Sequence, residues 1–214
     1  MKVCHLVGAG DFAPEYFHPQ PGDLVIACDA GLVNVESVGL RPDLIVGDFD
    51  SYPGGVPLGE NVTVLPREKD DTDMLYAARM GLSRGFRRFY LHGSLGGARP
   101  SHSLANVSLL LFLHSRGADG LLLSRRVMVR LLKDETLSLL PASGGYVSLF
   151  ALISPCLVHL AGLKYPYDGM LSPQHPLGVS NEFIGTAASI GVSVGELLAI
   201  FEDTGLSPAD LFPE

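Results

Sequence analysis

"LIVGDFDSYPGG", residues 44–55, carries an apolar run straight into two aspartates, Asp48 and Asp50, that are separated by one phenylalanine. The residues before Asp48 read as a strand and the Ser-Tyr-Pro-Gly-Gly that follows reads as a loop, so the acids sit where a hydrophobic strand ends. A carboxylate pair in such a place is either a metal seat or an ordinary strand-to-loop cap. The rest of the chain has to decide between them.

Strand-like runs of the same kind recur through the first half of the chain as "KVCHLVGAG", "DLVIACDAG", "NVTVLP" and "RRFYLHGS". Between several of them lie segments of helical period, "DTDMLYAARMGLSRG" and "SHSLANVSLLLFLHSRG", the second closing on an Arg-Gly stop signal. Strands alternating with helices predict an α/β domain whose sheet is mostly parallel and covered on both faces. From about residue 121, "LLLSRRVMVRLLKDETLSLLPASGGYVSLFALI" shows short Val- and Leu-rich runs with frequent turn signals and little helical period, which predicts an all-β sandwich. "GVSVGELLAIFEDTG" reads as strand, and the tail "LSPADLFPE" as a short helical turn or frayed end. The expected division is therefore an α/β domain over 1–120 and a β-sandwich over 121–214.

The 214 residues are 47% hydrophobic, enough for a substantial core, and carry a formal net charge of −8. Lys and Arg are scattered, so no footprint for nucleic acid is expected, and a polyanionic ligand would need help from a cation. Cys4, Cys28 and Cys156 are odd in number and far apart, which suggests neither a disulfide framework nor a zinc site and fits a reducing cytoplasm. The apolar run in "MKVCHLVGAGDF" is too short for a signal segment, and no stretch reaches the roughly 20 apolar residues of a membrane span. No membrane association is expected.

In an open parallel sheet, ligands bind beyond the carboxyl ends of the strands. Asp29 follows "LVIAC", Asp48 and Asp50 follow "LIVG", and Asp70, Asp71 and Asp73 follow "VTVLPREK" and open a helix. Taken alone, Asp71 or Asp73 reads as an N-cap, and Lys69 as a surface lysine paired with Glu68 or Asp70. Five or six carboxylates converging on one sheet edge repel one another unless a divalent cation lies between them, and oxygen-only ligands point to Mg²⁺. In "HGSLGGARPSHSLAN", residues 92–106, glycines before a helix let backbone N–H groups approach a phosphate, and Arg99 can bind one bidentately. The stretch is not a Walker A loop, and Ser101 or Ser103 also reads as a plain N-cap.

These segments together resemble the thiamine pyrophosphokinase (thiamine diphosphokinase) family. The resemblance rests on "CDAG" at 28–31, "RPDLIVGDFDS" at 41–51, "EKDDTD" at 68–73, "GSLGGARPSHSLAN" at 93–106 and "GLKYP…LGVSNEF" at 162–183, which occur in the family's order over almost the whole chain. It implies the same two-domain fold, with an ATP-binding catalytic domain and a thiamine-binding, dimerising sandwich, in a homodimer whose active sites lie between subunits. It also implies Mg²⁺-dependent transfer of a pyrophosphoryl group from ATP to thiamine, with AMP released.

Carried over by motif position, Asp48, Asp50 and Asp73 are expected to hold the metal and to act in catalysis, with Lys69 and Arg99 on the phosphates. Asp29, Gly31, Ser51, Asp70, Asp71, Thr72, Gly96, Gly97, His102 and Asn106 are expected around ATP. Ser180 and Asn181 are expected around thiamine, although as residues alone they read as a hairpin turn. The chain departs from the family's G-G-R-x-D-H by an inserted Ala98 and by Ser101 in place of aspartate.

Three alternatives compete with this expectation. "LIVGDFDS" also resembles the strand and D-x-D of haloacid-dehalogenase-like phosphatases, with Asp48 as nucleophile, but that motif normally follows a domain's first strand rather than its third. "GAGDFA" at 8–13, with Asp29 beyond it, suggests dinucleotide binding, but the proline-rich "PEYFHPQPGD" that follows makes a poor phosphate-binding helix. A non-catalytic thiamine or thiamine diphosphate sensor would keep the fold without turnover, yet repelling carboxylates have little use without a metal.

Overall fold

The computed structural model describes all residues except Ser51, Pro53, Lys69, Pro213 and Glu214. The chain forms two compact units, Met1–Arg125 and Arg126–Glu214.

The first unit contains β1 (Val3–Val7), β2 (Leu24–Cys28), α1 (Gly31–Ser37), β3 (Leu44–Gly47), β4 (Val62–Val64), α2 (Asp73–Ser83), β5 (Arg88–His92), α3 (Pro100–Ser115) and β6 (Asp119–Ser124). Its strands lie in the order β6-β5-β1-β2-β3-β4, and every pairing is parallel. The chain lays β1 to β4 outward in one direction, then returns to add β5 and β6 on the other side of β1. This reversal makes the β1/β5 boundary a topological switch point, where the loops after the two strands diverge and leave a crevice.

The two-residue side-chain period of the strands divides the core between the sheet's faces. Val7, Val25, Ala27 and Ile45 pack with Leu32 and Val35 of α1 and with Phe12, Phe17 and Phe49. On the opposite face α2 crosses β1 and β2, with Gly81 set against the Phe89 ring and the Cys4 sulfur.

Helix starts differ from the capping expectation. The α2 N-cap is Thr72, whose hydroxyl accepts from the Leu75 N–H at 3.2 Å, so Asp73 becomes the first helical residue rather than the cap. In α3, Pro100 fills the first turn, where its missing N–H costs nothing, and Arg99 rather than Ser101 or Ser103 is the N-cap.

The second unit contains β7 (Val127–Leu132), β8 (Glu135–Leu139), β9 (Tyr146–Ala151), β10 (Cys156–Ala161), β11 (Tyr167–Leu171), β12 (Gly178–Glu182), β13 (Ala188–Val194) and β14 (Leu197–Glu202). They form an antiparallel sandwich, with one sheet in the order β12-β9-β14-β7 and the other in the order β11-β10-β13-β8. Strand β10 shows the one-sided burial of such a sheet: Cys156, Val158 and Leu160 point in, while His159 and Ala161 point out. Arg130 is buried beside Glu135 at 2.9 Å, with its guanidinium 4.9 Å from the Phe212 ring centroid. A 3₁₀ turn, Pro208–Leu211, follows the last strand, closed by a Ser207–Asp210 capping box.

The expected α/β-plus-sandwich architecture is the one observed. The units part at Arg125/Arg126 rather than at residue 120, because Leu121–Ser124 belong to β6, which runs parallel to β5 with Arg88 opposite Asp119.

Candidate active site

The carboxyl ends of β1, β2, β3 and β5 open into a cleft of about 560 Å³ in the first unit. Its acidic wall is built by two residues held in the left-handed backbone region. Asp29, just beyond β2, has φ 50° and donates its N–H to the Val46 carbonyl at 2.8 Å. Gly47 makes this close approach possible, since a Cβ there would stand 2.9 Å from the Asp29 Cα.

The second such residue is Phe49, with φ 58°. Positive φ is unfavourable for a bulky side chain, and burial of the ring, 4% exposed within the α1-side core, offsets it. The ring acts as an inward anchor, and the aspartates on either side of it line the cleft. The Asp50 N–H donates to the Asp48 Oδ1 at 3.2 Å, which tightens the turn. This is the physical reason for an Asp-Phe-Asp order at the end of the strand.

One oxygen from each of Asp29, Asp48 and Asp50 falls within 4.8 Å of the others. The Asp29 Oδ1 is buried and has no hydrogen-bond partner among the described residues. Burial raises the Asp29 pKa, against the hydrogen bond from the Ala30 N–H, and the charges of Asp73, Asp48 and Asp50 raise it further. A hard, oxygen-binding divalent cation fits this donor set: it relieves the repulsion and satisfies the unpartnered oxygen.

The facing wall is backbone. The Gly8 N–H donates to the His92 carbonyl and the Gly10 N–H to the Gly93 carbonyl, both at 2.8 Å, so the loops after β1 and β5 are joined main chain to main chain. Gly93 has φ 54°, and a Cβ on it would stand 2.3 Å from the Gly8 oxygen. Side chains fasten the loops from behind. The Asn34 Nδ2 donates to the Gly8 carbonyl and the Asn106 Nδ2 to the Ser94 carbonyl, each at 2.7 Å.

Arg67, Asp71, Thr72, Asp73 and the start of α3 complete the rim. Arg67 reaches Asp50 at 3.4 Å, and Arg79 holds Asp71 at 3.0 Å. Arg99 and His102 are exposed and line the cleft.

Of the residues expected around metal and ATP, Asp29, Asp48, Asp50, Asp71, Thr72, Asp73, Gly96, Gly97, Arg99, His102 and Asn106 line this one cleft. Ser51 and Lys69 lie outside the described residues. Gly31 is buried as the first residue of α1, and neither it nor the exposed Asp70 is among the lining residues. Among the described residues the carboxylates gathered within 4.8 Å are Asp29, Asp48 and Asp50, which follow the paired neighbours β2 and β3.

Sequence reasoning missed Gly8, Gly10, Ser94 and Arg67 as lining residues. The signal for the first two was "GAG", set aside because no helix follows it. Arg67 adjoins a motif but is not part of one.

In the second unit, Ser180 and Asn181 fall within β12 at a register shift, not in a hairpin turn. Ser180 is exposed with φ 56°. Asn181 is 6% exposed and its amide is bonded to backbone through both the oxygen and the nitrogen. Its Oδ1 accepts from the N–H groups of Tyr165 and Glu182, both at 3.0 Å, and its Nδ2 donates to the Tyr165 carbonyl at 2.8 Å. Asn181 therefore fixes the backbone around Ser180 and Tyr165.

The model of the thiamin pyrophosphokinase catalytic domain matches residues 20–119, and that of the thiamin pyrophosphokinase vitamin B1 binding domain matches residues 131–197. Together these matches cover well over half the chain. The chain belongs to the thiamin pyrophosphokinase family. Its reaction is that of the family, pyrophosphoryl transfer from ATP to thiamine to give thiamine diphosphate. The phosphatase and sensor alternatives gain no support.

Among solved structures, the chain is similar to thiamine pyrophosphokinase from Bacillus subtilis, at 23% identity and a TM-score of 0.81 over 96% of this chain and 100% of that one. It is likewise similar to the Geobacillus thermodenitrificans enzyme, at 28% identity and 0.77 over 94% and 97%, and to the yeast enzyme, at 14% and 0.69 over 94% and 86%. The likenesses under 25% identity speak to fold alone. None of the curated proteins compared with the chain matches it. Among the described residues, no helix is long and apolar enough to cross a membrane.

Proposed function

We propose that the reaction runs in the cleft of the first unit, with Asp48, Asp50 and Asp29 holding a divalent cation, Mg²⁺ by preference, and Asp73 completing the acidic wall. The observation that carries this reading is the Asp29–Asp48–Asp50 oxygen triple with its unpartnered buried oxygen. A cation held by these carboxylates would neutralise the charge that develops on the AMP leaving group.

The chain's own residues supply position. The glycine wall lets the triphosphate approach main chain, and Asn34 and Asn106 keep that wall in place. Arg99, with Lys69 by motif, meets phosphate oxygens, while Asp71, Thr72, Gly96, Gly97 and His102 surround the nucleotide. The hydroxyl oxygen of thiamine attacks the β-phosphorus and gives up its proton to solvent, the bond from that phosphorus to the α,β-bridging oxygen breaks, and AMP leaves with that bond's electron pair. Attack at β rather than γ requires the γ-phosphate to be held aside, a role suited to rim arginines.

For the acceptor we assign Ser180 as the contact in the sandwich unit, with Asn181 as the residue that shapes its surroundings. Met170, Leu177, Val179 and Ile184, each about half exposed, support self-association of this unit in a homodimer. Three buried free thiols, Cys4, Cys28 and Cys156, fit a cytoplasmic setting.

The test is product analysis with ATP and thiamine, with Mg²⁺ or with EDTA. AMP and thiamine diphosphate in equal amounts, formed only with Mg²⁺, are expected. ADP, or full turnover in EDTA, refutes the assignment.

A further inference from the structure

We infer that Arg67 is a built-in counter-ion of the metal seat: its guanidinium occupies Asp50 while the seat holds no cation, and it moves to the triphosphate when metal and nucleotide arrive. The inference rests on the reading of Asp48 and Asp50 as metal ligands.

Arg67 and Arg99 are the two arginines lining the cleft among the described residues, and they stand differently. Arg99 is an N-cap at the start of α3. Arg67 lies on the loop between β4 and α2, with its Nη2 3.4 Å from the Asp50 Oδ2. The contact is long for a charge-assisted hydrogen bond, and the Arg67 side chain is 74% exposed. It is the kind of ion pair that contributes little to stability and breaks at small cost.

The loop is anchored on both sides of Arg67. The Leu65 N–H donates to the Gly47 carbonyl at 2.9 Å, and Thr72 caps α2. Asp71 is engaged by Arg79. The guanidinium can therefore swing while its backbone stays at the mouth of the cleft.

A metal ligand and a guanidinium compete for the same carboxylate lone pairs, so cation entry displaces Arg67. The displaced arginine remains beside the metal seat, where the phosphates lie, and its planar fork suits a phosphate better than a single carboxylate oxygen does. One residue thus has opposite effects on two ligands: it weakens metal binding to the empty cleft and strengthens binding of the metal–nucleotide complex.

The experiment measures Mn²⁺ binding by electron paramagnetic resonance, without and then with a non-hydrolysable ATP analogue, in wild type, Arg67→Gln, Arg67→Lys and Asp50→Asn. For Arg67→Gln, Mn²⁺ affinity without nucleotide should rise by a factor of about two to five, the worth of an exposed ion pair. Its affinity for the Mn²⁺–analogue complex should fall by about tenfold, the worth of a charge-assisted hydrogen bond. Arg67→Lys should lie between wild type and Arg67→Gln on both measures.

Unchanged or weaker Mn²⁺ binding to nucleotide-free Arg67→Gln overturns the counter-ion role. So does an unchanged affinity for the complex. If Asp50→Asn binds Mn²⁺ as tightly as wild type, the metal seat itself is misassigned, a failure distinct from that of Arg67. Circular dichroism and thermal unfolding of each variant separate these outcomes from a loss of fold.

Discussion

Two pairs of strand ends in the same parallel sheet are built in opposite ways. Beyond β2 and β3 the cleft is lined by side chains, with three carboxylate oxygens gathered within 4.8 Å by a left-handed Asp29 and a left-handed Phe49. Beyond β1 and β5 it is lined by main chain, with glycine loops joined to each other by N–H···O bonds of 2.8 Å. The first pair gathers like charges and holds strained backbone, so it works against folding. The second satisfies backbone groups and fits tightly, so it supports folding and binding together. Function at the acidic ends should therefore trade against stability, whereas at the glycine ends the two should rise and fall together.

The sharpest way to break this contrast is to neutralise one acid. Asp50→Asn should lower kcat/KM by about a thousandfold, or about 4 kcal/mol of transition-state stabilisation. Its Tm should stay level or rise, because a repelling charge leaves the cluster. Steady-state kinetics and calorimetry on the same sample check both halves. A fall in Tm alongside activity would mean that Asp50 supports the fold.

Gly93→Ala tests the other pair. A Cβ 2.3 Å from the Gly8 oxygen, on a residue at φ 54°, must push the two loops apart. A loss of about 2–3 kcal/mol is expected, from overpacking added to positive-φ strain. Urea unfolding should show it, with kcat/KM falling in parallel. Stability unchanged within error would contradict the account of the joined loops.

Asn106→Ala sharpens the comparison on a smaller scale. The variant frees the Ser94 carbonyl, a buried acceptor whose orphaning costs about 1–2 kcal/mol. The KM for ATP should rise while the KM for thiamine changes little. Equal changes in both would place Asn106 outside nucleotide positioning.

The smallest effect is a pH dependence seated behind the glycine wall. His5 and His92 share a hydrogen bond of 3.0 Å, and the His5 Nε2 lies 3.3 Å from Asp23. Phe12 and Phe17 pack edge-on against the His92 ring. If the His5 Nε2–H donates to Asp23, neutral His5 accepts at Nδ1 and His92 donates. The buried His92 Nδ1 then has no partner among the described residues.

Burial lowers the His92 pKa, and His5 lowers it further. Burial also lowers that of His5, against the bond to Asp23. Unfolding therefore takes up protons, and the stability present above the unfolded-state value of 6.5 is lost as pH falls below it. The Tm should drop from pH 7 to pH 5, and less steeply in His92→Gln. A wild-type Tm that is flat over this range would refute the neutral-pair reading.

Much of this contrast is legible in the sequence, and unequally so. Side chains announce themselves: apolar runs ending in Asp29, Asp48 and Asp50 mark strands that feed an acidic site, and those three residues do converge. Backbone does not. "GAG" at 8–10 lines the cleft without the helix that a dinucleotide fingerprint requires, so its role depends on a β1–β5 adjacency that local sequence does not encode.

The unit boundary escaped for the same reason. "LLLS" at 121–124 has the composition of a sandwich strand, and only its parallel pairing with β5 assigns it to the first unit. Helix α1, with seven residues and no side-chain cap, is too short to show a period. Asn181 reads as a ligand contact from its motif, and the motif gives no sign of the three hydrogen bonds that tie its amide to the backbone of Tyr165 and Glu182.

The central claim, that the acidic strand ends hold the catalytic cation, is tested most directly by anomalous diffraction from crystals soaked with Mn²⁺ and a non-hydrolysable ATP analogue. The account predicts an anomalous peak at coordination distance, about 2.1 Å, from carboxylate oxygens of both Asp48 and Asp50, with phosphate oxygens completing the shell. A peak that touches neither residue, with the triphosphate bound elsewhere, would contradict it.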